Sequence, residues 1–412
     1  MNESQKIVTA EDYEKYSGAE AVERVARKAR PLRDYHIAHI NSTYYGGGVA
    51  EILSSKSLLM NSLGIRTGWR IIQGSPDFFS ITKKMHNALQ GDRINLSKRK
   101  MEIYESVIYE NAVRNHLDHD IVLVHDPQPL PLIDHYRKRG PWIWRCHIDL
   151  TRPNRKLWSY LLSFIRKYDA VIFSLKEYAR RIPKPQLFFL PAIDPFSIKN
   201  RELSEEEIDE RLAHYRIPTD LPLVVQVARF DRWKDPEGVI RAFRIARRHV
   251  ESTLVLLGNV ATDDPEGERV FESLLHQQEE RILILSHQDS ALVNALQRRA
   301  DVVLQKSLRE GFGLTVTEAM WKRTPVIGGN VGGIRHQIED GVNGFLVSSV
   351  GEAADRIVLL LKDKRMRETM GARARETVKQ RFLMIRLVEQ YLDLFNSFEA
   401  NYRLVRTPGN SA

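Results

Sequence analysis

The sequence predicts a two-domain α/β protein with two doubly wound parallel sheets. Short apolar runs alternate with helical patterns in the first half, a proline-rich and then acidic stretch interrupts them around residues 183–204, and the alternation then restarts. A length of 412 residues is enough for two domains with separate cores. We therefore place the boundary between the domains within the interrupting stretch.

The first half carries five strand candidates behind a polar helical arm at residues 1–34. The strands are predicted at 35–41, 67–73, 120–126, 142–148 and 169–175, with helices such as 49–64 and 156–168 between them. This pattern predicts a first Rossmann-like domain over residues 35–195.

The second half repeats the architecture without repeating the sequence. Its strands are predicted at 221–230, 252–260, 280–286, 300–307, 324–329 and 344–349, which defines a second Rossmann-like domain over 196–382. The chain is predicted to be helical from about 363 to about 398. Two such domains predict a cleft between the carboxyl ends of two sheets, so binding residues are expected directly after strands.

The charge balance narrows the classes of partner. Sixty-two Lys and Arg against 53 Asp and Glu give a net charge of +9, which favours anionic ligands. The charges alternate in sign along most helices, so we expect phosphorylated metabolites rather than nucleic acid. The single cysteine excludes an intrachain disulfide, and neither a signal peptide nor a membrane-length apolar run is visible. These features predict a cytoplasmic protein without membrane insertion.

Two glycine-rich turns each lie between a predicted strand and a helix. Gly46, Gly47 and Gly48 precede a helix that starts near Val49, and Gly311 and Gly313 lie in the segment REGFGLTVTEAMWK. Glycines let a backbone approach a ligand closely, and a helix N-terminus attracts anions. Neither turn matches the Walker or G-x-G-x-x-G pattern.

Two glutamates flank the second turn. Glu310 precedes it, and Glu318 follows on the next helix. A two-carboxylate hydrolase is one interpretation, and a site that binds a sugar and a ribose around a diphosphate is another. Arg229 and Lys234 follow a strand and can bind one diphosphate together, which favours the second interpretation.

Polar residues follow two strands of the first domain. Asp126, Gln128, His147 and Asp149 are suited to binding sugar hydroxyls. The histidines at 116–120 precede a strand, at the wrong edge of the sheet for a site, so no metal site is predicted.

With these residues assembled, the chain resembles a retaining glycosyltransferase of the GT-B class, family 4. Glu310 and Glu318 resemble that family's E-x7-E signature, and ARFDRWKD resembles its Arg…Lys diphosphate clamp. A narrower resemblance, to the trehalose glycosyltransferring synthases, runs through HINSTYYGGGVAEIL, MHNALQG, VHDPQP, WRCHIDL and REGFGLTVTEAMW. The sequence departs from the family pattern at Asp235, where relatives often have glycine. An acidic residue there would bend the clamp loop or weaken its positive field.

The resemblance implies two Rossmann-like domains facing each other across a cleft. The domain at 35–195 would bind the acceptor, the domain at 196–382 would bind the nucleotide sugar, and the helix and tail at 383–412 would cross back to the first domain. The implied reaction moves glucose reversibly from a nucleotide diphosphate glucose to free glucose, giving α,α-trehalose. No cofactor and no obligatory metal are expected.

The resemblance also assigns roles to residues. Glu310, His147, Arg229 and Lys234 would be catalytic, and Asp126, Gln128, His147 and Asp149 would bind the acceptor. Glu310 would bind donor-sugar hydroxyls, Glu318 the ribose, and the carbonyl of His147 would stabilise developing positive charge. The donor would be held by Gly46, Gly47, Gly48, Arg229, Lys234, Gly311, Phe312, Gly313, Leu314, Thr315 and Glu318.

Some alternatives stay open at this point. A retaining trehalose phosphorylase using glucose 1-phosphate and a family 4 transferase with another acceptor both share this pattern. The base of the nucleotide, the preferred direction and the oligomeric state, with a homodimer among the options, are not determined by these residues.

Overall fold

A computed structural model describes residues 8–44, 47–258 and 265–406. The chain divides into two compact units, the first formed by residues 1–191 with 383–412 and the second by residues 192–382. The prediction of two parallel α/β sheets is confirmed, because each unit contains one six-stranded parallel sheet within the described residues.

The first unit has the strand order β2-β1-β3-β4-β5-β6. Its strands are β1 His36–Asn41, β2 Arg66–Ile71, β3 Ile121–His125, β4 Trp142–Arg145, β5 Ala170–Phe173 and β6 Gln186–Phe188. Its helices are α1 Glu14–Ser17, α2 Ala19–Ala29, α3 Gly48–Ser62, α4 Pro76–Leu89, α5 Lys98–Arg114 and α6 Arg155–Ile165, with short 3-10 helices at Glu11–Tyr13, Arg30–Leu32, Leu130–His135 and Lys176–Tyr178.

The second unit has the strand order β12-β11-β10-β7-β8-β9. Its strands are β7 Leu223–Val227, β8 Thr253–Gly258, β9 Ile282–Ser286, β10 Val302–Gln305, β11 Val326–Gly329 and β12 Phe345–Val347. Its helices are α7 Glu205–His214, α8 Pro236–Arg247, α9 Pro265–Leu275, α10 Ser290–Arg299, α11 Leu314–Trp321, α12 Val350–Lys362 and α13 Lys364–Arg381, with 3-10 helices at Arg232–Lys234 and Gly332–His336.

In both sheets the strand order reverses once. From β1 the chain moves outward to β2 and then returns to β3 on the other side, and from β7 it moves to β8 and β9 and then returns to β10. Right-handed crossovers in opposite directions place their helices on opposite faces of the sheet, which leaves a crevice at the carboxyl ends of the two central strands.

One strand lies where the sequence indicated a linker. β6 occupies part of the proline-rich stretch 183–204 and pairs with β5, Phe188 lying opposite Phe173. Its three residues are half-buried, so it lacks the long apolar run by which the other strands are recognised.

The two faces of the first sheet differ in polarity. Val122, Val124, Trp142 and Trp144 alternate along β3 and β4 and share one apolar core. The residues between them point to the other face, where apolar side chains such as Leu123 and Ile143 accompany the buried polar groups His125 and Arg145.

The last helix, α14 Met384–Arg406, belongs to the first unit. Nζ of Lys28 in α2 lies 2.9 Å from Glu389 and 2.8 Å from Asp393. Nζ of Lys56 in α3 lies 3.9 Å from the centre of the Tyr391 ring. The helix is thereby held to both α2 and α3. No helix among the described residues has the length and apolar character needed to span a membrane.

The packing of α13 on α11 generates a stability prediction. A Cβ atom at Gly371 would lie 1.9 Å from the carbonyl oxygen of Arg323, just beyond α11. Gly371→Ala should therefore lower the free energy of unfolding by about 2–3 kcal/mol, the cost of overpacking, as measured by urea denaturation. Gly351→Ala in α12 is the matched control, because its Cβ meets nothing closer than 4.0 Å. Equal effects of the two substitutions would contradict this account.

Candidate functional site

In the second unit, two loops leave neighbouring strands at the reversal of strand order. β7 leads into residues 228–235, here called the cationic loop, and β10 leads into residues 306–313, here called the glycine turn. The backbone N–H of Leu308 donates to the carbonyl oxygen of Trp233 at 2.7 Å, so the loops are bonded to each other. The fold therefore brings together two motifs that lie far apart in the sequence.

The cationic loop is braced from within. Half-buried Arg229 is the second residue after β7. The side chain of Asp231 accepts the backbone N–H of Trp233 at 2.9 Å, and the amide of Gln226 donates to the carbonyl oxygen of Lys234 at 2.9 Å. These bonds fix the backbone that carries both predicted cations.

Lys234 and Glu310 form an ion pair between the two loops. Nζ of Lys234 contacts Oε2 of Glu310, and the hydroxyl of Ser307 lies 3.4 Å from the same oxygen. The two side chains are only 18% and 10% exposed. An ammonium group has three N–H donors, so Lys234 can hold Glu310 and still present N–H groups to an anion. The sequence interpretation treated these residues separately, whereas the structure pairs them.

Asp235 occupies a position that suits glycine. Its backbone is left-handed, with φ 48° and ψ 50°, a conformation that aspartate tolerates better than most residues. Its side chain accepts the N–H of Gly238 at 3.1 Å as the N-cap of α8, and it also pairs with buried Lys306. The expected weakening of the Lys234 field is therefore offset, because Lys306 neutralises the added carboxylate.

The glycine turn ends in a left-handed residue. Gly313 has φ 86° and is the N-cap of α11, which begins at Leu314 and Thr315. A Cβ at Gly313 would lie 3.1 Å from Cγ of Glu310, so a side chain there would displace that carboxylate. The first N–H groups of an α-helix have no partner within the helix, which makes this end suitable for an anion.

A second turn supports the glycine turn from behind. A Cβ at Gly333 would lie 2.3 Å from Cα of Phe312, and buried Gln337 donates to the carbonyl oxygen of Phe312 at 2.6 Å. The hydroxyl of Thr317 donates to the side-chain amide oxygen of Gln337 at 2.5 Å. Sequence reasoning missed this support, although its signal, the GG pair after β11, was visible.

Glu318 is buried in α11, with 1% of its side chain exposed. Its Oε1 lies 3.8 Å from Nζ of Lys199, a cation that the sequence reading did not include. Lys322 donates to the backbone carbonyl of Glu318 at 3.2 Å and to Asn200 and Gln297 at 3.0 and 2.8 Å. Glu318 is thus a buried, charge-compensated carboxylate and not an exposed helix-end charge.

In the first unit, the glycine-rich turn lies between β1 and α3. Gly46 falls outside the described residues. Gly47 is extended, with φ 179°, and nothing lies within 4 Å of its Cβ position, while Gly48 is the first residue of α3. The indole N–H of Trp69 donates to Asn41 at 2.6 Å, which fixes the end of β1 before the turn.

Three histidines form a hydrogen-bonded series near the ends of β1, β3 and β4. Nδ1 of His39 lies 3.1 Å from Nε2 of His125, and Nδ1 of His125 lies 3.1 Å from Nε2 of His147. The rings of His125 and His147 are stacked, with centroids 5.4 Å apart. Only His147 had been predicted as a site residue.

Asp126 holds the backbone of His147. Its Oδ1 accepts the N–H of His147 at 2.7 Å, and its left-handed backbone, with φ 62°, turns the chain at the end of β3. Burial raises the pKa of Asp126 from 3.8 to about 7. The carboxyl group is therefore a neutral acid over much of the acidic range.

The other two predicted acceptor residues differ in their surroundings. Oε1 of Gln128 is buried and has no hydrogen-bond partner among the described residues. Asp149 is buried, and its Oδ1 accepts the N–H of Thr151 at 2.8 Å and also bonds the Thr151 hydroxyl. Gln128 thus has bonding capacity to offer a ligand, while one oxygen of Asp149 shapes a turn.

Within each unit the structure brings most predicted residues together. Lys234 contacts Glu310 of the glycine turn, Arg229 lies on the same cationic loop as Lys234, and Asp126 bonds the backbone of His147. Residues that sequence reasoning missed are His39, His125, Lys199, Lys306 and Gln337. Among the described residues, no cluster of three or more His, Cys, Asp or Glu is arranged to hold a metal ion.

Each unit matches the model of a known protein family. Residues 39–180 match the model described as trehalose synthase, N-terminal domain, and residues 207–377 match glycosyl transferases group 1. A trehalose synthase from Thermococcus litoralis is 45% identical over 398 residues, which cover 94% of this chain and 97% of that protein.

More distant relatives share part of this likeness. A trehalose phosphorylase from Grifola frondosa is 28% identical over 426 residues, covering 89% of this chain but 58% of its own length. The solved sucrose-phosphate synthase of Thermosynechococcus elongatus superposes with a TM-score of 0.69 at 19% identity, covering 89% of this chain and 100% of that one. The last comparison concerns the fold, and it confirms the predicted GT-B class.

The environment of Asp235 predicts a graded response to substitution. Asp235→Asn keeps the cap and tolerates the left-handed backbone, Asp235→Gly loses the cap, and Asp235→Ala loses the cap in a strained backbone. All three variants leave Lys306 buried without its carboxylate, so we expect each to lower the free energy of unfolding, increasingly in that order and reaching about 3 kcal/mol for alanine. Lys306→Met should reduce the loss in a double-mutant cycle by urea denaturation.

Asp34→Ala is the matched control for Asp235→Ala. Asp34 is also left-handed, with φ 72°, but its ion pair with Arg66 is exposed. We expect it to cost about 1 kcal/mol, the backbone effect alone. A loss as large as that of Asp235→Ala would show that neither the cap nor the buried pair of Asp235 contributes.

The raised pKa of Asp126 predicts a pH dependence of stability. A folded pKa above the unfolded one contributes stability that is complete below pH 3.8 and is lost as pH rises through about 7. Asp126→Asn keeps the acceptor for His147 and cannot ionise. The free energy of unfolding of the wild type relative to this variant should fall by about 2–4 kcal/mol across that range, whereas exposed Asp77→Asn should change it little. A flat difference would refute the shift.

Proposed function

This chain belongs to the trehalose synthase family of glycosyltransferases, and we propose that it transfers glucose from a nucleotide diphosphate glucose to free glucose, giving α,α-trehalose reversibly. The observation that carries the proposal is the meeting of the cationic loop and the glycine turn. Two cations, a helix N-terminus and two carboxylates in one crevice suit a diphosphate that joins a sugar to a ribose.

The leaving group is the first chemical demand of this reaction. As the anomeric C–O bond breaks, the sugar becomes oxocarbenium-like and the departing diphosphate gains negative charge. Arg229, Lys234 and the N–H groups at the start of α11 supply fixed positive potential to that diphosphate. Cationic side chains do here what a metal ion does in other transferases, so the proposal includes no obligatory metal.

The two glutamates bind hydroxyl groups on either side of the diphosphate. Glu310, held by Lys234 and Ser307, accepts hydrogen bonds from the donor sugar. Glu318 accepts them from the ribose. Each carboxylate is charge-compensated by a lysine, Lys234 for Glu310 and Lys199 for Glu318, which reduces its repulsion of the phosphates.

Acceptor binding is assigned to the first unit. His147, Asp126, Gln128 and Asp149 orient the acceptor glucose, and the carbonyl of His147 stabilises developing positive charge. The acceptor hydroxyl attacks on the face that the diphosphate leaves, and the leaving phosphate oxygen takes its proton. This front-face course retains the anomeric configuration without a covalent enzyme intermediate.

A second candidate is a trehalose phosphorylase, which the likeness to the Grifola frondosa protein favours. A phosphorylase uses glucose 1-phosphate and has no ribose to bind. Its donor would therefore engage Glu310 and Arg229 but not Glu318.

Product analysis separates the candidates. The protein is incubated with glucose and UDP-, ADP- or GDP-glucose, or with glucose 1-phosphate, and the sugars are identified by NMR. We expect α,α-trehalose from a nucleotide sugar, with kcat/KM about a hundredfold lower in Glu310→Gln and Arg229→Ala. Arg232→Ala and Glu237→Gln, exposed neighbours of the same loop, are the matched controls and should retain activity.

Two outcomes would overturn the proposal. Trehalose formed only from glucose 1-phosphate would establish the phosphorylase, and Glu318→Gln would then leave the rate intact. Near-normal turnover in Glu310→Gln, or unchanged donor affinity in Arg229→Ala, would contradict the assigned roles.

A further inference from the structure

The series His39–His125–His147 lies on the face of the first sheet opposite the apolar core that contains Val122 and Trp144. His39 and His125 alternate with core-facing residues along β1 and β3, and Arg145 points the same way from β4. Lys56 of α3 and Tyr391 of α14 cover this face. His39 and His125 are fully buried, whereas His147 at the end of the series is half-buried.

The pKa values of all three rings are lowered, which favours their neutral form. Burial is the largest cause for each ring, and nearby Lys56 and Arg145 add to it for His125 and His147, as Lys56 does for His39. Burial lowers the pKa of Lys56 as well. A neutral imidazole has one N–H and one lone pair. The series can therefore be polarised in only two ways, with every N–H pointing toward His147 or every N–H pointing toward His39.

The surroundings of His39, the buried end of the series, favour one of these two directions. Nε2 of His39 has no hydrogen-bond partner among the described residues. A proton on that nitrogen would be a buried donor without an acceptor, facing the field of a nearby amine, Lys56. Neither Lys56 nor Tyr391 makes a hydrogen bond to this nitrogen, and a buried lone pair without a partner is better tolerated than a buried N–H without one, so a lone pair on Nε2 is favoured. The proton of His39 then lies on Nδ1.

The tautomer of His39 then determines the tautomers of His125 and His147, because each hydrogen bond needs one donor and one acceptor. The Nδ1–H of His39 donates to Nε2 of His125, and the Nδ1–H of His125 donates to Nε2 of His147. We propose that His39 and His125 are positioning residues that hold His147 as its Nδ1–H tautomer, making this nitrogen a hydrogen-bond donor to the bound sugar. The sugar as ligand rests on the proposed function, whereas the tautomer does not.

The tautomer excludes one chemical role for His147. A ring that carries its proton on Nδ1 and accepts on Nε2 has no lone pair for an acceptor hydroxyl, so it cannot be the general base. It binds a sugar oxygen and leaves the proton transfer to the departing phosphate. The backbone N–H of His147, bonded to Asp126, and the stacking on His125 keep the ring in this orientation.

The tautomer can be read directly in the full-length protein. Long-range 15N–1H NMR of 15N-histidine-labelled protein distinguishes Nδ1–H from Nε2–H rings, and the His147 signals are assigned by their loss in His147→Asn. We expect the Nδ1–H pattern for His147 in the wild type. An Nε2–H pattern, or a mixture, would overturn the inference whether or not trehalose is formed. Conversely, the Nδ1–H pattern in a protein that makes no trehalose would reject only the proposed function.

A pair of substitutions at His125 tests the positioning role. The amide of His125→Asn can still donate to His147, whereas His125→Leu cannot. The leucine variant should show mixed tautomers and a kcat about tenfold lower, the value of one hydrogen bond, with KM for the nucleotide sugar little changed. The asparagine variant should restore the tautomer and most of the rate.

His36→Gln is the matched control, at the other end of β1, and should leave both readouts unchanged. Equal loss of rate in the leucine and asparagine variants, with His147 still Nδ1–H, would contradict positioning through hydrogen bonds. The wild-type spectrum requires no variant, so it tests the tautomer even if His125→Leu fails to fold.

Discussion

The reversal of strand order in each sheet is the constraint on which both candidate sites depend. At β7 and β10, and at β1 and β3, the chain leaves adjacent strands toward opposite sides of the sheet. The carboxyl ends of these strands are consequently left uncovered by their own crossovers. Every residue that we assign to binding of the donor or acceptor sugar either follows one of these strands or a neighbouring strand, or lies in a helix that begins there.

Charge pairing makes such a crowded crevice stable. Glu310 pairs with Lys234, Asp235 with Lys306, and Glu318 with Lys199. A carboxylate in a phosphate-binding crevice would otherwise repel its ligand and would also be costly to bury. The pairing leaves the hydrogen-bond acceptors of the glutamates available to hydroxyl groups while reducing the repulsion of phosphate. The glutamates and the phosphate-binding turn are therefore compatible within one site.

The first unit handles its polar groups differently. His39, His125 and Arg145 lie on one face of the sheet, under Lys56 and Tyr391, with few carboxylates nearby. Burial favours the neutral form of the imidazoles, so these histidines act through the direction of their hydrogen bonds rather than through charge. Asp126 at its rim is the exception, and its raised pKa reflects the same dry surroundings.

The apolar runs and turn residues of the sequence were sufficient to predict eleven of the strands of the described chain and several of its helices, because parallel buried strands have a strong local signal. The residues that follow these strands could therefore be identified as well. β6 has no such apolar run, and only its pairing with β5 identifies it as a strand. The sequence also did not determine which residues far apart in the chain contact each other. Nothing in the chain order indicates that Lys306 neutralises Asp235, that Gln337 supports Phe312, or that His39 contacts His125. These contacts follow from which strands become neighbours, and that is decided by the packing of whole sheets rather than by any local stretch.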